Sequence, residues 1–316
     1  MKNRVDHWYL SHDPVEINVL LNTGGMGDQV CRLPAIKHLL ENYPHITMHA
    51  YCPTYWVEVL QHFFGRFHQL KIYPKDDQVV NFPRRAGYYF IGTGDKRHLH
   101  TTLGTHLVDY AYNILLDRQP LGAERDYLSI KVETKAKGAP YAVLTPGFTS
   151  PVRSLPGDVW NSIAAYLVTL GVTPVWLGKR AIYGSQATLF YDDVDYTVGR
   201  DMRDKTTVLE AAMIMSQASF VLGLDNGLMH VAALSDVPII AGYSSVKAVY
   251  RLPVRHGELG WNVKVVEPDS CHGCENIMRF NYGHDFRTCY YGDMVCTKEL
   301  TFDKWRERID QVLGGT

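Results

Sequence analysis

Two hydrophobic periods alternate along the chain. Short runs that are apolar at nearly every position, Ile17–Leu21, Thr47–Tyr51, Leu70–Tyr73 and Tyr88–Ile91, bracket stretches near Gln29–Leu40 and Tyr55–Phe64 whose apolar residues recur every three or four positions. Buried parallel strands read as continuous apolar runs and packed helices as 3.6-residue stripes, so this order predicts strands joined by crossover helices. A helix near Leu103–Leu116 and a strand over Tyr127–Val132 complete the half, and the polar, Gly- and Pro-punctuated Glu133–Pro140 reads as an interdomain linker. The pattern then repeats: strand Tyr141–Thr145, helix Pro156–Leu170, strand Thr173–Leu177, helix Thr207–Gln217, strand Phe220–Gly223, helix Asn226–Leu234 and strand Pro238–Ala241. Phe302–Leu313 reads as a last helix, free to pack back on the first domain. The absence of any repeat of solenoid period excludes a solenoid.

The predicted fold class is therefore α/β, with two doubly wound, Rossmann-like domains facing across a cleft, residues 1–135 and 136–316. The length of 316 residues agrees, since one core seldom serves more than about 250–300. Ligands of such sheets bind at the carboxyl ends of the strands, so the active site is expected between the domains.

Composition narrows the class further. With 46% hydrophobic and 21% charged residues the chain is an ordinary globular protein, and 32 Lys+Arg against 33 Asp+Glu leave no global field toward nucleic acid or anionic lipid. The start of the chain lacks the apolar core of a signal peptide and no apolar run approaches a membrane span, so a cytoplasmic location is expected. In that reducing compartment six cysteines argue for metal ligation over disulfides. Cys271, Cys274, Cys289 and Cys296 form a C-x₂-C-x₁₄-C-x₆-C array in a finger-like insertion at about 268–298. Four thiolates suit tetrahedral Zn or Fe and leave no open position, so this site is expected to be structural, with His272 and His284 as substitute ligands and no catalytic metal elsewhere. Cys31 and Cys52 lie inside apolar patterns and read as buried thiols.

Two glycine-rich passages sit where strands feed helices. Gly24-Gly-Met-Gly-Asp28 fails both the dinucleotide fingerprint and the Walker loop, which disfavours a nicotinamide dehydrogenase. It places Asp28 at a helix N-terminus, where a carboxylate stays ionised and can serve as a general base or as a plain helix cap. The second passage, Asp225-Asn226-Gly227-Leu228, offers helix N-terminal N–H groups to a diphosphate and the Asp225 carboxylate to sugar hydroxyls. Between them, the loop Thr145–Pro156 carries Gly147, Thr149, Ser150 and Arg153, the last able to clamp a phosphate. His230 falls one turn into the second helix and faces either the core or the cleft. Arg84, Arg85, Lys96 and Arg97 are basic positions for an anionic acceptor, or a solvated face.

Taken together, Gly25-Met26-Gly27-Asp28 with Leu33-Pro34-Ala35, Pro146-Gly147 through Arg153–Pro156 and Trp160, and Gly223–Leu234 resemble the family 9 glycosyltransferases, which include heptosyltransferases. The resemblance implies a GT-B fold and metal-free, inverting transfer of a sugar from a nucleotide donor, with the acceptor on the first domain and the donor on the second. It implies Asp28 as general base, Arg153 in place of a phosphate-contacting lysine, and Asp225 on donor sugar hydroxyls. Gly25, Met26, Gly27, Gly147, Thr149, Ser150, Asn226, Gly227, Leu228 and His230 complete the expected donor site. No acidic residue stands between Lys179 and Phe190, where the family places one on the nucleotide ribose, so the expected donor is ADP-heptose or another sugar nucleotide. The expected acceptor is a saccharide, a protein or modified DNA, and homo-oligomers are among the expected partners. Open alternatives are a phage-type DNA glycosyltransferase, a sugar-nucleotide epimerase and a non-catalytic nucleotide-sugar-binding protein.

Overall fold

The computed structural model describes residues 14–21, 25–75, 88–92, 106–116, 118–131, 138–180, 182–183, 186–274 and 288–314, with backbone alone at 88–92, 114, 182–183 and 186–187. The first half holds β1 (Val15–Leu20), α1 (Met26–Asn42), β2 (Ile46–Cys52), α2 (Val57–Phe64), β3 (Leu70–Pro74), β4 (Tyr88–Gly92) and α3 (Leu107–Leu116). Its four parallel strands run in the order β3-β2-β1-β4. The chain therefore winds outward from β1 and then returns to its other side, which makes the end of β1 the switch point where ligands bind.

The second half holds β5 (Tyr141–Thr145), α4 (Gly157–Thr169), β6 (Thr173–Trp176), the hairpin β7 (Ile182–Tyr183) and β8 (Gln186–Ala187), β9 (Arg200–Asp201), α5 (Val208–Gln217), β10 (Phe220–Leu224), α6 (Gly227–Ala232) and β11 (Ile239–Gly242). A small hairpin, β12 (Val254–Arg255) and β13 (Glu258–Leu259), precedes β14 (Val263–Val266), and the helices α7 (Val295–Lys298) and α8 (Phe302–Leu313) follow. The main sheet is parallel in the order β14-β11-β10-β5-β6-β9, so its switch point lies between the ends of β5 and β10. Those ends are Thr145 and Leu224, which open the two loops that the sequence marks for donor binding.

Helix α1 is buried nearly all round because it lies between the first sheet, α3 and α6. Its Pro34 cannot donate to Val30, an internal break that tertiary packing of Leu33, Ala35 and Ile36 absorbs. One apolar cluster runs from Ile17 and Leu33 through Val221, Met229 and Ile239, so the two halves share a core across the α1–α6 contact.

Three expectations change. Residues 126–131 form no strand: Tyr127 N–H donates to Val254 O and Ile130 N–H to Leu234 O, which ties this connection to the second half one bond at a time. The last helix does not return to the first domain; Trp305 and Ile309 of α8 are fully buried with Trp160, Trp176 and Leu224 on the outer face of the second sheet. β14, absent from the sequence reading, is an edge strand with Lys264 exposed, too short and too polar to stand out. The linker segment 132–137 lies outside the described residues.

Candidate active site

The two switch points meet where α1 crosses α6. A Cβ on Gly27 would stand 2.7 Å from His230 Cδ2, and one on Gly227 would stand 2.7 Å from Met26 Cβ. Each glycine therefore admits a side chain of the opposite helix, a packing reason for glycine that the sequence reading assigned to ligand approach.

Asp28 occupies the first turn of α1, where its Oδ2 accepts the Gly25 N–H at 2.7 Å. That bond orients the carboxylate and satisfies a donor at the helix start. Asp225 follows β10; its N–H donates to Gly242 O, and its side chain is only 8% exposed. Arg153 Nη1 approaches Asp225 Oδ2 at 3.4 Å, yet among the described residues that oxygen accepts no hydrogen bond. Burial alone would raise the Asp225 pKa; the charges of Arg153 and then Arg251 outweigh it, and the carboxyl is held below the usual carboxylate range. A buried, ionised oxygen with spare acceptor capacity suits a sugar hydroxyl.

Asn226 is the N-cap of α6. Its side-chain oxygen accepts from Leu228 N–H at 2.9 Å, and its Nδ2 donates to Thr145 O at 3.2 Å. This corrects one expectation: the Leu228 amide is spent on the cap and is not a free donor for phosphate. The same carboxamide binds the loops after β5 and β10 together. In the Thr145–Pro156 loop, Ser150 is buried, Thr149 is exposed, and the Ser150 carbonyl accepts Arg153 N–H as a short 3₁₀ turn (Pro151–Arg153) presents the guanidinium. Gly147 is kept small by Thr188 and Phe190, with its carbonyl 3.5 Å from Asn226 Nδ2.

His230 resolves toward the α1–α6 junction. It is buried, its Nδ1 lies 2.8 Å from Tyr127 Oη, and Cys31 Sγ lies 2.9 Å from the same hydroxyl. Burial lowers its pKa to about 4 against the pull of Asp225 and Asp28, so the ring is neutral at physiological pH.

Arg251, which sequence reasoning missed, stands in reach of this site: its charge acts on Asp225, His230 and Tyr243, and its Nε is buried with no hydrogen-bond partner among the described residues. It lies in an irregular segment after β11, with no motif to mark it. An acidic residue also reaches the turn after β6: Asp204, from beyond β9, accepts Arg180 N–H and donates its own N–H to Gly178 O. Sequence reading searched only Lys179–Phe190 and could not see this return. Arg84, Arg85, Lys96 and Arg97, expected at the acceptor, and His284 lie outside the described residues.

Among the described residues Cys271, Cys274, Cys289 and Cys296 form no disulfide. Cys296 is buried, and burial together with the like charges of Cys271, Cys274 and Cys289 pushes its thiol up to about 12, so the four are close enough to feel one another. Among the described residues no group of three or more His, Cys, Asp or Glu is drawn to metal-binding distances. The donor chemistry, four soft sulfurs at C-x₂-C-x₁₄-C-x₆-C spacing, fits a structural Zn or Fe. His272 instead faces Glu267 at 3.5 Å. No helix among the described residues is long and apolar enough to cross a membrane.

Known proteins share this fold. The autotransporter heptosyltransferase TibC of enterotoxigenic Escherichia coli is 26% identical over 136 residues, 42% of this chain but 30% of that relative, so the match spans under a third of its length. An autotransporter heptosyltransferase of Citrobacter rodentium is 25% identical over the same extent. The crystal structure of TibC, described as iron-containing and dodecameric, superposes with a TM-score of 0.73 at 18% identity, covering 96% of this chain and 77% of that one. E. coli heptosyltransferase WaaC superposes with a TM-score of 0.57 at 14% identity over 94% and 99% of the two chains. The fold is accordingly GT-B. Residues 101–265, just over half of the chain, match the model of glycosyltransferase family 9 (heptosyltransferase), and the chain belongs to that family.

Proposed function

We propose that this enzyme transfers a heptosyl group from ADP-heptose to a hydroxyl of a protein acceptor, with inversion and with Asp28 as general base. One TibC structure holds ADP-heptose, and the curated relatives are autotransporter heptosyltransferases, which supports both the donor and the acceptor class. The observation that carries the reading is that two carboxylates, Asp28 and Asp225, both act on one imidazole, His230, which packs on Gly27 at the α1–α6 crossing. Asp28 Oδ2 is held by Gly25, leaving Oδ1 to take the proton as the acceptor oxygen attacks the anomeric carbon. The bond from that carbon to the diphosphate oxygen breaks, and ADP departs with its charge met by Arg153 and Arg251. Asp225 holds the sugar hydroxyls. The two domains are the acceptor unit, residues 1–135, and the donor unit, residues 136–316. Cys271, Cys274, Cys289 and Cys296 would hold a Zn or Fe ion that supplies rigidity to the finger and no chemistry to the transfer.

Asp28→Asn is the test. The amide oxygen can still accept the Gly25 N–H, so the helix start is preserved while the base is lost. Transfer from ADP-heptose should fall by about 10²–10⁴-fold with an unchanged melting temperature. Wild-type turnover in a folded variant would overturn the assignment.

A further inference from the structure

A buried chain of three side chains, contributed by three separate parts of the fold, ends on His230. Cys31 comes from α1, Tyr127 from the connection between the two halves, and His230 from α6. Cys31 Sγ is 2.9 Å from Tyr127 Oη, which is 2.8 Å from His230 Nδ1; the direct Cys31 to His230 separation is 3.7 Å. The Tyr127 and His230 rings are inclined by 23° with their centroids 6.1 Å apart.

Protons can run along this chain in two senses. In one, Tyr127 O–H donates to His230 Nδ1 and Cys31 S–H donates to the phenol oxygen. In the other, His230 Nδ1–H donates to the phenol, whose proton is spent on sulfur. A phenol is a far better donor than a thiol, and a neutral imidazole nitrogen is a far better acceptor than sulfur. The first sense pairs the strong donor with the strong acceptor, and it leaves the imidazole proton on Nε2. That nitrogen edges the Gly27 turn, 3.3 Å from where a Cβ would stand, and the ring feels the charge of both Asp225 and Asp28.

We infer that Tyr127, backed by Cys31, is a positioning residue that locks His230 as the Nε2–H tautomer, so that a neutral, fixed N–H donor faces the diphosphate of the bound nucleotide. This rests on the proposed reading of the cleft as a nucleotide-sugar site. The sequence leaves His230 facing either the core or the cleft, the resemblance adds it to the donor site, Cys31 reads as a buried thiol and Tyr127 as part of a strand; none of these points to the relay. The groups that act on His230 are Cys31 of α1 with Asp28 at its start, Tyr127, Asp225, Arg251 and His106. Of these, His106 is itself pushed down by burial, and its Nε2 donates to Leu252 O while its Nδ1 caps Val108 N–H, so it brings no charge at neutral pH.

The experiment is long-range proton–nitrogen spectroscopy on the full chain carrying nitrogen-15 histidine, with His230→Gln to assign the signal, alongside titration with ADP. The wild type should show a bare Nδ1 and a protonated Nε2 unchanged between about pH 5.5 and 8. Tyr127→Phe should give a mixture of tautomers and weaken ADP by about 3–10-fold, the range that one neutral hydrogen bond supplies. Cys31→Ser, which keeps a donor behind the phenol, should restore the wild-type signal. A protonated Nδ1 in the wild type, or a Tyr127→Phe variant with the wild-type tautomer and ADP affinity, would overturn the inference. If Tyr127→Phe does not fold, the wild-type signal alone decides between the two senses. Failure of wild-type protein to bind ADP, with the tautomer as stated, would instead sink the nucleotide reading and leave the lock standing as a structural one only, which also overturns its role toward diphosphate.

Discussion

Replacing Arg153 with methionine should reverse the sign of the Asp225 contribution to stability. Asp225 in the native protein has a pKa below its unfolded value of about 3.9, so its contribution is present in full above that pH and is lost as pH falls through the folded pKa. The two effects that set this value are opposed: burial raises the pKa, and Arg153, 3.4 Å away, is the strongest of the charges that lower it. At an effective dielectric of about 20 that separation corresponds to an attraction of about 5 kcal/mol, part of which is offset by relieving the guanidinium's own desolvation. Arg251 still acts on Asp225, so the net loss at pH 7 should be about 1–3 kcal/mol, or about 3–10 °C in apparent Tm. With Arg153 gone, burial wins and the carboxyl pKa rises above its unfolded value. The variant's deficit is then largest near pH 7–8 and shrinks on acidification through about pH 6 to 4, where protonation removes the uncompensated charge. Scanning calorimetry of both proteins across that range measures the gap. Arg153→Lys, which keeps a cation, should close most of it. A gap that is constant with pH, or that widens on acidification, would refute the reasoning.

Two further outcomes follow from the same geometry. Gly27→Ala sets a methyl 2.7 Å from a ring that is itself held by Tyr127, so overpacking of about 1–3 kcal/mol should exceed the helix-propensity gain of under about 1 kcal/mol; a Tm above wild type in a thermal scan would contradict the crossing. Cys296→Ser, or treatment of the wild type with a chelator, should release stoichiometric Zn or Fe by elemental analysis and lower Tm, whereas wild-type protein purified under reducing conditions without either metal would exclude the four-thiolate site.

How much of this was legible in the sequence depends on whether the cause was local. β10 and its turn into α6 were readable because a buried parallel strand must be apolar throughout, as Phe220–Leu224 is, and because Asp225-Asn226-Gly227 cannot continue it. Asn226 as a cap follows from the same local rule. Nothing local tells that Tyr127 serves His230, 103 residues later, or that its segment finds its backbone partners at Leu234 and Val254 in place of a sheet. The same holds for Arg251 and Asp204, whose importance comes from where β11 and β9 return the chain. The cysteine spacing was legible as ligand chemistry, since C-x₂-C restricts what those thiols can do together, but spacing alone carries no distances.

The glycine turns also change how a diphosphate would be held. Read from sequence, the second is a phosphate cradle at a helix start and the first a turn that lets a substrate approach Asp28. In the fold, the space over Gly27 is taken by His230 and the space over Gly227 by Met26, α6 is only six residues long, and the Leu228 amide is already bound to Asn226. What remains of the helix field is a fraction of one charge, against full charges on Arg153 and Arg251. A diphosphate would therefore lie beside the crossing, on the side of the Thr145–Pro156 loop, and would compete with Asp225 for Arg153. The present Arg153–Asp225 contact, 3.4 Å long and with no hydrogen bond to Oδ2 among the described residues, would be exchanged for an ion pair with phosphate, and Arg251 still acts on Asp225. As Arg153 turns to phosphate, the Asp225 oxygen is released for the sugar hydroxyls, so binding of the leaving group and capture of the transferred sugar become one coupled event.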